Sequence, residues 1–152
     1  MKKIYILTTS LLFCTFLTNA QIKEPLKWTF NAQKVNDSIA NVYFTVKIDK
    51  GWHVFSQKNI NTDSLLPTTT FEFEKSKDYQ LIGKVTEPKG IEKFETVFNA
   101  KVIYFENSVT FTQQIKFISR NTITVKGNVF SIICNDKGCM PADKDFSIQI
   151  DK

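Results

Sequence analysis

The sequence of 152 residues contains a single histidine, four prolines, five glycines and three cysteines. The sequence shows no Ser-His-Asp set, no zinc-ligand spacing, no phosphate-binding glycine loop and no paired-carboxylate signature. The sequence therefore gives no support for a hydrolytic activity. The histidine itself, His53, lies in a predicted strand, where a lone histidine is typical of a surface or hydrogen-bonded structural position and not of a thiol-activating one.

Beyond its first twenty residues the chain also lacks any apolar run long enough to cross a bilayer. A positively charged start, an apolar stretch over residues 4–17 and small residues up to Ala20 predict a cleavable signal peptide over residues 1–20. Cys14 lies in this segment, but Phe13 stands where a lipoprotein signal needs a small residue, so we expect Cys14 to be removed with the peptide. The sequence thus predicts an exported protein with no membrane insertion after cleavage.

The charge excess is modest and lacks a concentrated patch. Removing residues 1–20 takes away two lysines, leaving 18 basic and 15 acidic residues, a net charge of +3. This spread argues against a nucleic-acid partner. The 132 remaining residues (152 minus 20), residues 21–152, suit one domain with an adequate core, which should not need a disulfide to fold. Two cysteines remain in it, an even number for which pairing is the default in an exported protein.

Apolar residues alternate with polar ones along most of the chain, which is typical of half-buried strands. No convincing helical stretch and no internal repeat appears, and turn signals recur about every ten residues. We therefore predict an all-β single domain, an antiparallel β-sandwich of immunoglobulin-like type with eight or nine strands. The strands are predicted around Trp28 and Phe30, then at 42–48, 52–55, 71–73, 79–85, 102–106, 109–117, 123–134 and 146–150, with Asn107-Ser108 as a hairpin connection.

One segment fits this pattern poorly. In residues 91–100, IEKFETVFNA, the apolar residues Phe94, Val97 and Phe98 are spaced by three and four. This spacing favours a single helical turn or a structured loop over a strand. Its aromatic side chains are either core anchors or a cover over another part of the molecule.

The two remaining cysteines flank a turn-forming Asn-Asp-Lys-Gly in CNDKGC, residues 134–139. Directly opposed residues of an antiparallel hairpin have Cα atoms about 4.5–5.5 Å apart, which is within disulfide range. A bond across so short a loop stabilises by about 2 kcal/mol. Three interpretations remain open: a structural disulfide in an interaction domain, a thiol–disulfide exchange pair, and a Cu(I) carrier with Cys134, Cys139 and Met140 as soft ligands.

Four stretches together resemble one known family: GWHVFSQ (51–57), EPKG followed by KFETVF, KVIYFENSVTFTQQI (101–115) and CNDKGCMPA (134–142). The chain is similar, over residues 26–150, to the N-terminal periplasmic domain of the thiol:disulfide interchange protein DsbD. The resemblance implies an immunoglobulin-like sandwich whose cysteine pair relays electrons without a cofactor or a bound metal. If the pair is active, the resemblance implies an electron carrier of the thiol:disulfide oxidoreductase type.

By position, the resemblance makes Cys139 the attacking thiol and Cys134 its resolving partner. It also places an aromatic-bearing cap loop over the cysteines, and here the segment IEKFETVF falls at that place. Phe94 or Phe98 would be the cap aromatic, with Glu92 and Glu95 as the nearby carboxylates.

The resemblance also implies partners. In this family a thioredoxin-like domain, supplied with electrons through a membrane-embedded part, reduces the N-terminal domain. That domain in turn reduces periplasmic disulfide isomerases and cytochrome-maturation thioredoxins. Since the sequence ends at Lys152 without a membrane or thioredoxin module, we expect donor and acceptor to be thioredoxin-like proteins on separate chains.

Overall fold

The computed structural model describes residues 24–58, 60, 66–96 and 98–151. The predicted signal peptide with Cys14, and Val97 of the 91–100 segment, lie outside the described residues. The described residues form no helix and ten strands: β1 (Leu26–Lys34), β2 (Ile39–Ile48), β3 (His53–Phe55), β4 (Thr70–Phe73), β5 (Tyr79–Thr86), β6 (Ile91–Glu95), β7 (Ala100–Phe105), β8 (Ser108–Phe117), β9 (Ile123–Asn135) and β10 (Gly138–Ile150).

The strands form two antiparallel sheets. The first has the order β1-β2-β8-β5, and the second has the order β10-β9-β3-β7-β6, with β4 pairing with β9 beside β3. This arrangement confirms the predicted all-β sandwich of immunoglobulin-like type.

The core lies between the sheets and is rich in aromatic rings. Phe44 of β2 and Phe111 of β8 are fully buried cross-strand neighbours. Across the sandwich, the ring of Phe44 contacts those of Phe71 and Phe146 at centroid distances of 5.0 and 4.8 Å. The alternating burial of β2 and β8 follows the alternation of their sequences, because successive side chains of a strand point to opposite faces.

The hairpin predicted at Asn107-Ser108 is wrong. The strands before and after it, β7 and β8, belong to different sheets, so the chain crosses the sandwich there. Asn107 has a positive φ of 62° and its carbonyl accepts a hydrogen bond from the amide of Ile48 at 2.8 Å. A tight link of turn-forming residues has the same sequence signal whether the chain reverses within one sheet or crosses to the other.

The prediction of a helical turn or loop for residues 91–100 is wrong over its first half. Residues Ile91–Glu95 are β6, an edge strand that pairs with β7 from Ile91↔Tyr104 to Glu95↔Ala100. Four of its five residues are exposed, so neither face imposes the alternation by which half-buried strands are recognised. A turn follows β6, and in it the Asn99 amide donates to the Thr96 carbonyl at 3.2 Å.

Candidate functional site

The cysteine pair lies at the tip of the longest hairpin of the fold. Strands β9 and β10 pair over thirteen positions, and Cys139 lies directly opposite Cys134. The side chain of Asn135 accepts hydrogen bonds from the amides of Lys137 and Gly138, at 2.8 and 3.1 Å, and so holds the turn. The two cysteines form a disulfide with a Cα–Cα distance of 4.1 Å. Because the strands are already paired along their length, the bond adds little order to them.

The two sulfur-bearing residues differ sharply in exposure. Cys134 is only 4% exposed, whereas Cys139 is exposed to solvent. Ile133 precedes Cys134 on β9, and Val54 follows its cross-strand partner on β3. Both Ile133 and Val54 belong to the central core. Since side chains alternate along a strand, Cys134 faces the outside of the six-stranded sheet. There it joins a second, smaller apolar cluster with Phe55, Val102 and Tyr104.

His53 lies beside the buried cysteine. In the pairing of β3 with β9 it is the direct partner of Cys134, so Cys139, Cys134 and His53 form one row across three strands. Its ring packs against Tyr104 and Phe55 at centroid distances of 4.7 and 5.4 Å. Burial lowers the pKa of His53, and the nearby Glu95 carboxylate opposes that shift. Burial therefore favours the neutral form of the imidazole.

A cleft of about 520 Å³ opens over this row. One wall is the β9–β10 turn with both cysteines, and His53 lines the cleft beside them. The opposite wall is the end of β6 and the turn that follows it, including Glu95, Thr96 and Phe98. The Phe98 ring packs edge-on against Phe55 at 5.9 Å, which ties the turn to the apolar cluster around Cys134. Glu95 is mostly buried and its carboxylate lies 3.9 Å from the Lys93 ammonium.

The structure separates the four predicted cap residues into two pairs. Phe98 and Glu95 line the cleft beside the cysteines. Phe94 and Glu92 do not: both are exposed, Phe94 by 52%, and their partners on β7 are Lys101 and Ile103. Alternation along β6 places them on the face opposite Glu95. Of the two candidate cap aromatics, only Phe98 is therefore near the cysteines.

Met140, proposed from sequence as a third soft ligand, does not converge with the two sulfur atoms. It follows Cys139 directly and pairs with Ile133, which faces the core. Its side chain accordingly leaves the opposite face of the sheet from the cysteines, and it does not line the cleft. Within the described ranges, no group of three or more His, Cys, Asp or Glu side chains is arranged to hold a metal ion.

Sequence reasoning missed His53 as a member of the site. The alternation of WHVF correctly separates His53 from Trp52 and Val54, which both pack on the main core. The register that brings His53 to Cys134, however, is set by pairing between two residues that are 81 positions apart in the sequence (134 minus 53). No local signal in the sequence encodes that pairing.

The part of the chain that the structure describes contains no helix long and apolar enough to cross a membrane.

Comparison with known proteins gives one family. The family model described as the thiol:disulfide interchange protein DsbD, N-terminal, matches residues 19–150. No curated protein matches the chain.

The solved structures that share the fold include the following three. The DsbD N-terminal domain of Neisseria meningitidis in its reduced form is 18% identical, with a TM-score of 0.51 over 81% of this chain and 86% of that one. In the complex of the Neisseria meningitidis DsbD N-terminal and PilB N-terminal domains, the matched chain is 15% identical, with a TM-score of 0.52 over 84% of this chain and 87% of that one. The N-terminal periplasmic domain of ScsB from Proteus mirabilis is 13% identical, with a TM-score of 0.53 over 83% of this chain and 45% of that one.

Proposed function

This chain belongs to the family of the N-terminal domain of the thiol:disulfide interchange protein DsbD, and from that membership we propose that it is a thiol–disulfide exchange module that relays electrons through Cys134 and Cys139. One observation carries the proposal for this chain. A disulfide whose two residues differ in exposure, one buried and one exposed, lies in an open cleft at the tip of a hairpin that does not need it.

The difference in exposure suggests the role of each cysteine. An incoming disulfide can reach the sulfur of Cys139, so we assign Cys139 as the attacking thiolate. Its attack forms a mixed disulfide and releases one thiolate of the partner. Cys134, held opposite at a Cα–Cα distance of 4.1 Å, then attacks the Cys139 sulfur. The internal disulfide closes, the second partner thiolate leaves, and two electrons have passed to the partner.

The partners that fit this chemistry are proteins with an exposed cysteine pair, and we propose thioredoxin-like proteins of the periplasm on separate chains as both donor and acceptor. Family membership supports this, as does the structure of a related domain from Neisseria meningitidis in complex with the PilB N-terminal domain. We propose further that residues 1–20 direct export and that residues 21–152 are the working domain. The related Proteus mirabilis domain is itself described as periplasmic.

The reduction potential of the Cys134–Cys139 pair tests the proposed function. We expect a value between about −120 and −270 mV, the range of exchange-active pairs, because the bond contributes little to the fold and one sulfur is accessible. The measurement equilibrates mature protein with glutathione or dithiothreitol buffers of defined potential and traps free thiols with a mass-shifting maleimide.

A potential below about −300 mV, typical of structural disulfides in exported proteins, contradicts the proposal. A folded protein whose disulfide resists reduction would then be an interaction domain with a structural bond. A reduced protein that takes up Cu(I) with the stoichiometry of a single tight site, and does not exchange with disulfides, would support the soft-metal alternative.

We also propose that the turn of residues 96–99 covers the buried cysteine through Phe98. Replacing Phe98 with alanine should expose the Cys134 sulfur to attack. In the wild type, glutathione that opens the disulfide should be found almost entirely on Cys139. In Phe98→Ala the share on Cys134 should rise from under about a tenth to roughly a half, because access decides which sulfur is attacked. Acid quenching, alkylation of the free thiol and peptide mass mapping give the distribution.

Phe94→Ala is the matched control, since it is the same substitution four residues earlier on the opposite face of the same segment. It should leave the distribution of glutathione unchanged. If the distribution of glutathione shifted in Phe94→Ala and not in Phe98→Ala, the cap aromatic would be Phe94 and the proposal for Phe98 would be wrong.

A further inference from the structure

The Nε2 atom of His53 is buried, and among the residues that the structure describes it is the one buried side-chain nitrogen or oxygen without a hydrogen-bond partner. Buried polar groups are nearly always hydrogen-bonded, and leaving one unsatisfied costs free energy. The atom therefore calls for a partner that the oxidised protein does not supply. The sulfur of Cys134, the cross-strand neighbour of His53, carries no proton while it is bonded to Cys139, so it cannot donate to Nε2.

Reduction changes the donors in the cleft. His53 is the direct cross-strand neighbour of Cys134, both side chains face outward from the same sheet, and both line the same cleft. Breaking the disulfide creates an S–H donor on Cys134, next to an acceptor that has no other partner. The Nε2 atom of His53 thus gains a hydrogen-bond donor when the disulfide is reduced.

We propose that His53 accepts a hydrogen bond from the Cys134 thiol in the reduced protein and takes its proton when Cys134 resolves the mixed disulfide. This inference rests on the exchange function proposed above and adds a proton acceptor to it.

The resolving cysteine needs such an acceptor more than the attacking one. Cys134 is buried among Phe55, Val102 and Tyr104, and apolar surroundings favour the neutral thiol over the reactive thiolate. The exposed Cys139 can lose its proton to water. A buried thiol can lose its proton only to a group already beside it, and His53 occupies that place.

The charges around the imidazole suit this role. Burial, the largest influence, lowers the pKa of His53 and so keeps an unprotonated nitrogen available at neutral pH. Once the ring takes a proton, three nearby carboxylates favour the cation and one ammonium opposes it. The titratable groups that face the ring are Glu95 and Lys93 of β6, Glu106 after β7, Asp136 of the β9–β10 turn, and the packed phenol ring of Tyr104.

The proton of the Cys134 thiol passes to Nε2, and the sulfur electron pair forms the bond to the Cys139 sulfur. The bond between Cys139 and the partner breaks, and its electron pair leaves on the partner sulfur. That thiolate then takes a proton from the imidazolium or from water. The dithiol of this chain has been oxidised by two electrons and the partner disulfide reduced by two.

The test uses the reduced mature protein and the chromogenic disulfide dithiobis(nitrobenzoate), which releases one coloured thiolate at each step. The first phase, attack by Cys139, depends on the reagent concentration. The second phase, closure by Cys134, does not, and its rate is measured by stopped flow across pH 5–9. Three variants are compared with the wild type. His53→Phe removes the acceptor, whereas His53→Gln retains an amide oxygen that can accept a hydrogen bond. Tyr104→Phe is the control, because Tyr104 packs against the His53 ring but is not the strand partner of Cys134.

We expect His53→Phe to slow the second phase at least about tenfold at pH 7, a small effect for lost proton transfer, while the first phase changes less than about twofold. The wild-type closure rate should level off above the pKa of His53. In His53→Phe it should instead rise about tenfold per pH unit, because only the thiolate can then attack. His53→Gln should fall between the two, and Tyr104→Phe should match the wild type.

The equilibrium gives an independent readout. Since His53 stabilises the reduced pair and is unsatisfied in the oxidised one, His53→Phe should favour the disulfide by about tenfold, a potential more negative by about 30 mV. A merely structural histidine would move neither the pH profile nor the potential in this way. Folded His53→Phe and His53→Gln proteins with wild-type closure rates and potential would overturn the inference. A wild type that shows no second phase at all would instead refute the exchange function itself.

Discussion

Replacing Cys134 with alanine should turn the protein from a catalyst of exchange into a covalent trap. The exposed Cys139 can still attack a partner disulfide, but no second thiol lies opposite it to resolve the product. We expect turnover with an oxidised thioredoxin-fold disulfide isomerase to fall at least about a thousandfold, as when a covalent participant is removed. In its place a one-to-one mixed disulfide should accumulate, visible on a non-reducing gel and lost on reduction.

Cys139→Ala is the matched control, because it removes the other half of the same bond. It should lose turnover equally and trap nothing, since Cys134 is 4% exposed and cannot meet a partner sulfur. Both variants should stay folded, as the bond contributes only about 2 kcal/mol, and this is checked against the reduced wild type. Trapping by Cys139→Ala and not by Cys134→Ala would reverse the assigned roles. Trapping by neither would contradict exchange.

The fold was predictable from the sequence wherever one face of a strand is buried. The alternation in β2 and β8 is the direct imprint of a core on one side and solvent on the other. Where that asymmetry is absent the sequence carries no such imprint. Edge strand β6 is exposed on nearly every residue and was mistaken for a turn or loop. The crossing at Asn107 was mistaken for a hairpin because local turn chemistry does not reveal which sheet comes next.

The functional site was likewise predictable from the sequence only in part. The opposition of Cys134 and Cys139 follows from a four-residue spacer within one hairpin, so it was predictable. The choice between Phe94 and Phe98 was not, because it depends on where β6 ends and the turn begins. The role of His53 depends on a register between distant strands. Chemistry carried by one local element can be derived from sequence, whereas chemistry assembled across strands needs the structure.

The largest effect on stability should come from Phe44→Ala. The ring is fully buried, opposite Phe111, and contacts Phe71 and Phe146 across the sandwich at 5.0 and 4.8 Å. Its removal leaves a cavity between the sheets that flat neighbouring rings cannot fill. We expect a loss of about 3–5 kcal/mol in the free energy of unfolding, a large part of the roughly 5–15 kcal/mol of a typical domain. Urea denaturation of the oxidised protein measures it.

Phe94→Ala makes the same chemical change on an exposed edge strand, so it should cost less than about 0.5 kcal/mol. A cost for Phe44→Ala below that of Phe94→Ala would contradict the core described here. The pair of variants also separates the core from the site. Phe44 faces the interior of the sandwich, whereas the cysteine row faces outward from the other sheet. The potential of the Cys134–Cys139 pair in Phe44→Ala, measured where the variant is folded, should therefore equal that of the wild type.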